Sequence, residues 1–191
     1  IIEELKKINK NTKIIVATSG NGYWFFKNRK HIDLLYKFDQ ITYKKKAGKL
    51  SAMMTVLSFG KTLKTLNLNT SKALSLIEKY QPKTVIADSF YFFPKILKKK
   101  TFKFISINNS DYIFEKFFKT KSKPLSIYPQ FFLIELFDYL YNIIFHDFIL
   151  SPNLINKPKY FKKNIYRIPP LIRTKLKINN LKIFKPVIML S

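Results

Sequence analysis

No cysteine occurs among the 191 residues. That absence removes a disulfide scaffold, a thiolate metal site and a cysteine nucleophile together. Histidine is almost as scarce: His31 and His146 stand far apart with no ligand spacing around them, so a zinc site lacks donors and no bound metal is expected. Only 4 Gly and 9 Pro are present, which excludes collagen and low-complexity linker as descriptions of the whole. Acidic residues are few. The 11 Asp and Glu face 36 Lys and Arg, for a formal net charge of +25. Arginine is the scarce member of the basic set, confined to Arg29, Arg167 and Arg173.

What is present is apolar and basic. At 47% apolar residues the chain can build one ordinary core, or one domain and the edge of another. A field this positive attracts nucleic acid, anionic lipid or nucleotide-linked substrates. Lysine in excess beside abundant Ile, Asn, Phe and Tyr is also what AT-rich coding writes at tolerant surface positions. Proteins that read bases or clamp phosphates lean on the arginine fork. We therefore assign most of the charge to a solvated surface and a smaller part to membrane attraction.

The apolar runs set the element order. Ile1–Ile8 carries Ile1, Leu5 and Ile8 on one helical face. Lys13–Thr18, Thr84–Asp88 and Phe102–Asn108 are continuous apolar runs, as in strands covered on both faces. These three are expected as neighbouring parallel strands of one sheet. Shorter strands are expected at Phe38–Tyr43, Asp147–Leu150, Asn164–Ile168 and Val187–Leu190. Ser19–Gly22 reads as a glycine-bearing turn and Tyr23–Asn28 as a short helix. Leu50–Tyr80 has helical period, with Gly60 and the polar stretch 67–71 dividing it in two. Phe90–Lys99 and Ile127–Phe145 complete the helices. Alternating strands and helices give an α/β fold, a Rossmann-like parallel sheet with helices on both faces. The apolar stretch Phe131–Leu150 is interrupted by Glu135, Asp138, His146 and Asp147. Each carboxylate costs about 3 kcal/mol at the centre of a lipid-spanning helix, so a buried or interfacial helix is expected instead.

Ligands of open parallel sheets lie beyond the carboxyl ends of the strands. Those ends hold Ser19, Gly20, Asn21 and Gly22, then Asp88 and Ser89, then Asn108 and Asn109. The same residue types also make turns and cap helices, so each cluster alone has a purely structural reading. Ser-Gly-Asn-Gly is not a phosphate loop, because it lacks the Gly-Lys-Ser/Thr ending and the third glycine of a dinucleotide fingerprint. No Gly-x-Ser-x-Gly elbow exists for a serine hydrolase. Asp88 can bind hydroxyl groups or accept a proton; it can equally cap a following helix. Tyr23–Lys30 and Tyr112–Lys121 interleave aromatics with lysine, but no nucleic-acid module accompanies them.

Five stretches, taken in order, carry a resemblance: IIVATSGNGYWFFK at 14–27, QPKTVIADS at 81–89, FISINNS at 104–110, IPPLIR at 168–173 and KPVIMLS at 185–191. They resemble the amino-terminal domain of GT-B glycosyltransferases of the family 28 type, the group of the peptidoglycan and glycolipid sugar transferases. The resemblance implies an amino-terminal, acceptor-side domain over 1–184 and the start of a donor-binding domain at 185–191. It implies a hexosyltransferase moving a sugar from a UDP-sugar donor to a hydroxyl acceptor, one that can be lipid-linked, with inversion and without a cofactor. The catalytic base, with the family's opening strand and glycine-rich loop, is expected before Ile1, and the donor site beyond Ser191. The fragment is therefore expected to be inactive alone. Where the family has Asp after the proline, this chain has Lys83. Ser19–Gly22, Asp88, Ser89, Asn108 and Asn109 would line the cleft. Location in the cytoplasm at the inner face of the cell membrane follows, with Lys44–Lys49, Lys98–Lys100 and the aromatics of Tyr112–Phe118 expected against an anionic surface. The rival readings are a non-catalytic Rossmann-like nucleotide-binding domain and a basic nucleic-acid binder.

Overall fold

Which backbone ladders these apolar runs complete is visible in the computed structural model, which describes residues 2–41, 45–46, 49–50, 59–88, 90–92, 101–153, 158–162 and 164–170. The chain runs through α1 (Ile2–Ile8), β1 (Ile15–Thr18), α2 (Gly20–Phe26), β2 (Leu34–Lys37), the short β3 (Lys45–Lys46) and β4 (Lys49–Leu50), and the long α3 (Phe59–Tyr80). Next come β5 (Thr84–Asp88), β6 (Lys103–Ile107), α4 (Ser110–Lys119), α5 (Ile127–Gln130), a π-helical turn (Phe131–Glu135), α6 (Leu136–Phe145), β7 (Phe148–Pro152), β8 (Lys159–Lys162) and β9 (Ile165–Ile168). The fold is mixed α/β with a parallel-rich sheet. Five strands take the order β5-β6-β7-β9-β8, and every pairing is parallel except that of β8 with β9.

The structure corrects the single sheet expected of the three apolar runs. β5 and β6 are parallel neighbours, but β1 pairs with β2 in a separate two-stranded parallel sheet. The short strand expected at Phe38–Tyr43 lies earlier, at Leu34–Lys37, and Phe38 follows it as a buried residue. Asp33 fixes that register: its carboxylate accepts the Ile14 N–H at 2.6 Å and binds Lys6 of α1 at 2.8 Å. The two sheets share one direction. Lys13, ahead of β1, lies 5.1 Å from the ring of Tyr80, ahead of β5. Phe38, after β2, meets Phe90 and Phe92, after β5, with ring centroids 5.6 and 6.4 Å apart. The carboxyl ends of both parallel sets therefore face one edge.

One helix spans Phe59–Tyr80, not two. Its polar middle stays helical because the side chains bond locally or bury with partners. Thr70 Oγ1 donates to Leu66 O at 2.7 Å, and Ser71 Oγ to Asn67 O at 3.0 Å. Asn69, fully buried, accepts the Asp39 N–H and donates to Asp39 O, both at 2.9 Å. Gly60 sits at the helix start, and the stripe Met53, Met54 and Leu57 lies outside the described residues.

α3 covers one core. Phe38, Ala73, Ala87, Phe102 and Phe104 form its buried cluster, with Ala17 of β1 and Val85 of β5 packed against it. A second cluster joins Tyr139 of α6 to Ile149 and Ile165 of β7 and β9. Burying side chains such as Phe104 and Ile165 is worth about 1.5–3 kcal/mol each. α2 lies on the other side of β1: Ala17 faces the α3 core, so Thr18 points away from it, and Gly22 of α2 packs on Thr18. Helix α4 and strand β8 had no counterpart in the sequence reading. The short helix expected at Phe90–Lys99, the strand at Val187–Leu190, and the boundary between 184 and 185 lie outside the described residues, Phe90–Phe92 excepted, and these three are not helical. No helix among the described residues is long and apolar enough to cross a membrane.

Candidate functional site

The carboxyl edge of the parallel strands gathers most of the buried polar chemistry. Ser19–Gly22 is not a free turn: Ser19 is the N-cap residue and Gly20–Gly22 form the first turn of α2. Gly20 adopts φ +53, the left-handed region where a side chain is strained, and a Cβ there would press on Gln40. Gly22 lets α2 approach β1, since a Cβ would run into the Thr18 hydroxyl. These glycines thus serve close packing at the end of β1. Asn21 is exposed beside them.

Asp88 ends β5 opposite Ile107 of β6, so it stands next to Asn108. It is exposed at the edge, yet protein crowds one side of the carboxylate, and this desolvation pushes its pKa up. Ser89 lies outside the described residues. Asn108 is buried and structural. Its Oδ1 accepts the Ser110 N–H at 2.6 Å, opening α4, and its Nδ2 reaches Asp138 at 3.3 Å. Asn109 is exposed, and its carbonyl accepts the Tyr112 and Ile113 N–H groups as α4 begins.

Asp138 gathers this edge, although the sequence reading treated it only as an obstacle to a membrane span. Its carboxylate accepts Tyr91 Oη at 2.7 Å and Asn142 Nδ2 at 2.7 Å besides Asn108. Burial pushes its pKa up, while those three donors oppose the shift. Asn142 in turn accepts the Ser106 hydroxyl at 2.6 Å, and the Tyr141 hydroxyl bridges the Phe92 N–H and carbonyl. The segment after β5 is thus clamped to α6. Signal for Asp138 existed in the sequence: a carboxylate inside an otherwise apolar helix needs donors.

A second cluster closes the far end. Arg167 of β9 donates Nε to Asp111 Oδ2 at 2.7 Å and also bonds Glu115. Ser151 of β7 donates to the other Asp111 oxygen, and Asn153 donates to Ser151 Oγ at 2.6 Å. Asp111 is 1% exposed and Arg167 8%. Burial opposes the Arg167 charge, yet the two carboxylates outweigh it and raise its pKa. Lys119 first, then Arg167, hold the Glu115 carboxyl at about 2. The hint here was arginine itself: in a chain that writes lysine almost everywhere, Arg167 is kept where one fork must meet two carboxylates.

His31 is exposed, and His146 is buried with its ring 4.2 Å from Phe104, at the amino edge of the sheet. No group of three or more His, Asp or Glu side chains among the described residues gathers as a metal-holding set. The structure therefore places Asp88 and Asn108 at the ends of two neighbouring parallel strands. Ser19–Gly22 lies at the end of β1, where Gly20 approaches Gln40, and Phe38 of the neighbouring segment packs on Phe90 and Phe92. No family model, curated protein or solved structure matches this chain.

Proposed function

We propose that this chain is the Rossmann-like, acceptor-side half of a GT-B glycosyltransferase that moves a hexose from a UDP-sugar to a hydroxyl acceptor. The observation that carries the reading is the exposed carboxylate of Asp88 at the carboxyl edge, held beside Asn108 at the ends of two parallel strands. An exposed carboxylate there can accept two sugar hydroxyls, and each charge-assisted bond is worth about 1.5–3 kcal/mol. Asn21 and Asn109 add exposed amide groups on the same edge. The parallel order and the polar strand ends support the reading.

The test is transfer of radiolabelled hexose from UDP-hexose to polyprenyl phosphate or diacylglycerol by the full-length polypeptide carrying this chain. Asp88→Asn should lower turnover tenfold or more. It should leave the fold intact and slightly more stable at neutral pH. The sign follows from the raised pKa: the folded protein holds the proton more tightly than the unfolded chain, so ionising Asp88 above its folded pKa costs stability. Unchanged turnover in Asp88→Asn removes Asp88 from the acceptor site. Absence of UDP-sugar-dependent product over both acceptor classes rejects the transferase reading.

A further inference from the structure

Tyr36 of β2 and Tyr80, the last residue of α3, meet hydroxyl to hydroxyl. Each position is fixed by its own element. Ala17 faces the α3 core and Tyr36 is its cross-strand partner, so Tyr36 lies on the same face of the small sheet. Helix α3 stops at Tyr80: Gln81 takes φ +45 and donates its N–H to Ile77 O at 2.8 Å, and Pro82 follows. The two rings stand 6.2 Å apart between centroids, tilted by 53°. Both residues are half-buried, so the pair is held by its surroundings and is still reached from solvent.

Those surroundings favour loss of a proton from Tyr80. Lys13 Nζ lies 5.1 Å and Lys79 Nζ 5.3 Å from its ring centroid. The hydroxyl of Tyr36 above all, then the two ammonium groups, bring the Tyr80 phenol below its ordinary pKa, while the same contact and burial push Tyr36 up. A phenol that sheds its proton readily also yields an electron readily, because the departing proton cancels the positive charge that oxidation would leave. The chain holds no cysteine thiol to take the oxidising equivalent first. Other tyrosines are arranged differently. The Tyr91 hydroxyl goes to Asp138, and that of Tyr141 to the backbone of Phe92. Tyr160 and Tyr166, cross-strand neighbours in β8 and β9, are closer ring to ring at 4.7 Å. Phenols couple, however, at the carbon beside the oxygen, and contact between hydroxyls is what brings those carbons together.

We propose that Tyr36 and Tyr80 form an oxidative modification site, at which a peroxide-driven one-electron oxidant such as a haem peroxidase joins them as an intramolecular dityrosine. Each phenol gives up one electron and its O–H proton to become a tyrosyl radical. The two radicals form one C–C bond between their ortho carbons. The hydrogens on those carbons then move to the oxygens and restore both phenols. Two electrons and two protons leave in all, and they reduce one hydrogen peroxide to two waters. The product is a covalent staple between β2 and the end of α3, across 44 residues of chain. It draws on neither the Asp88 edge nor sugar transfer.

The experiment treats the full chain with hydrogen peroxide and a haem peroxidase, diluted until encounters between molecules are rare. The monomer should gain the blue fluorescence of dityrosine and lose the mass of two hydrogen atoms. Trypsin cuts after Lys30, Lys37, Lys79 and Lys83, so the product should appear as one species joining peptide His31–Lys37 to peptide Tyr80–Lys83. Tyr36→Phe and Tyr80→Phe should each lower the dityrosine yield about tenfold with circular dichroism unchanged, since each removes only a hydroxyl. Tyr160→Phe should leave the yield within about twofold. The peptide map is made on the unmutated chain, so it answers even if a variant fails to fold. A link between Tyr160 and Tyr166 in place of the expected one, dityrosine confined to covalent dimers, no dityrosine, or a yield untouched by Tyr36→Phe overturns the proposal. Asp88→Asn should cross-link as the unmutated chain does, which separates this site from the transferase reading.

Discussion

Replacing Arg167 by methionine keeps most of the side-chain volume and removes the cation from a buried set of four polar side chains. Asp111, 1% exposed, then keeps the Ser151 hydroxyl as its side-chain partner among the described residues. Glu115 keeps Lys119 and loses its bond to Arg167. Breaking a buried pair from one side leaves an uncompensated charge and costs about 3–5 kcal/mol. Domains of this kind have only about 5–15 kcal/mol in total, so the loss is a large part of the whole. Equilibrium urea unfolding followed by far-UV circular dichroism reads it as a lower midpoint at unchanged slope. Arg167→Lys should lose about 1–3 kcal/mol, because a single ammonium cannot serve Asp111 and Glu115 in the arrangement of the fork. Adding Asp111→Asn to Arg167→Met should recover part of the loss, since it removes the stranded charge. A double-mutant cycle isolates that coupling. A loss below about 1 kcal/mol in Arg167→Met, or a double variant less stable than Arg167→Met, refutes the reasoning that the ion pair is buried and mutually dependent.

Glu115→Gln tests the acid side of the same cluster. The folded carboxyl sits at about 2, below its ordinary 4.5, so its contribution is fully present above about pH 4.5 and is lost as pH falls towards about 2. The urea stability of wild type should exceed that of Glu115→Gln by about 0.5–1 kcal/mol at pH 7, reduced by solvent screening, and the gap should close across that acidic window; a gap constant with pH contradicts the assignment. Gly22→Ala should destabilise by about 1–3 kcal/mol through overpacking against Thr18, and Thr18→Ala in the same chain should restore most of it in thermal melts, whereas additive losses would show that the two do not share the contact.

Periodicity and residue type determined much of the outline. Thr84–Asp88 was legible to the residue as a strand, and Phe102–Asn108 and Ile127–Phe145 nearly so, because long apolar runs and a helical stripe are local patterns. The polar residues at Asp88 and Asn108–Asn109 were also placed correctly at strand ends. What lay beyond the sequence was every choice made by a distant partner. β1 went to Leu34–Lys37 rather than to β5, because Asp33 ties that strand to Ile14 across 19 residues. The stretch 67–71 stayed in one helix, because Asn69 found the backbone of Asp39. Asn108 became a buried brace and Asp138 a shared acceptor only when α6 came to rest on β6 and the segment after β5. Composition could count the lysines and phenylalanines, but not say which would be left facing out. That was decided when Phe131, Tyr139 and Asn142 took the interior side of their helical run, which left Leu133, Phe137 and Ile144 on the exposed side.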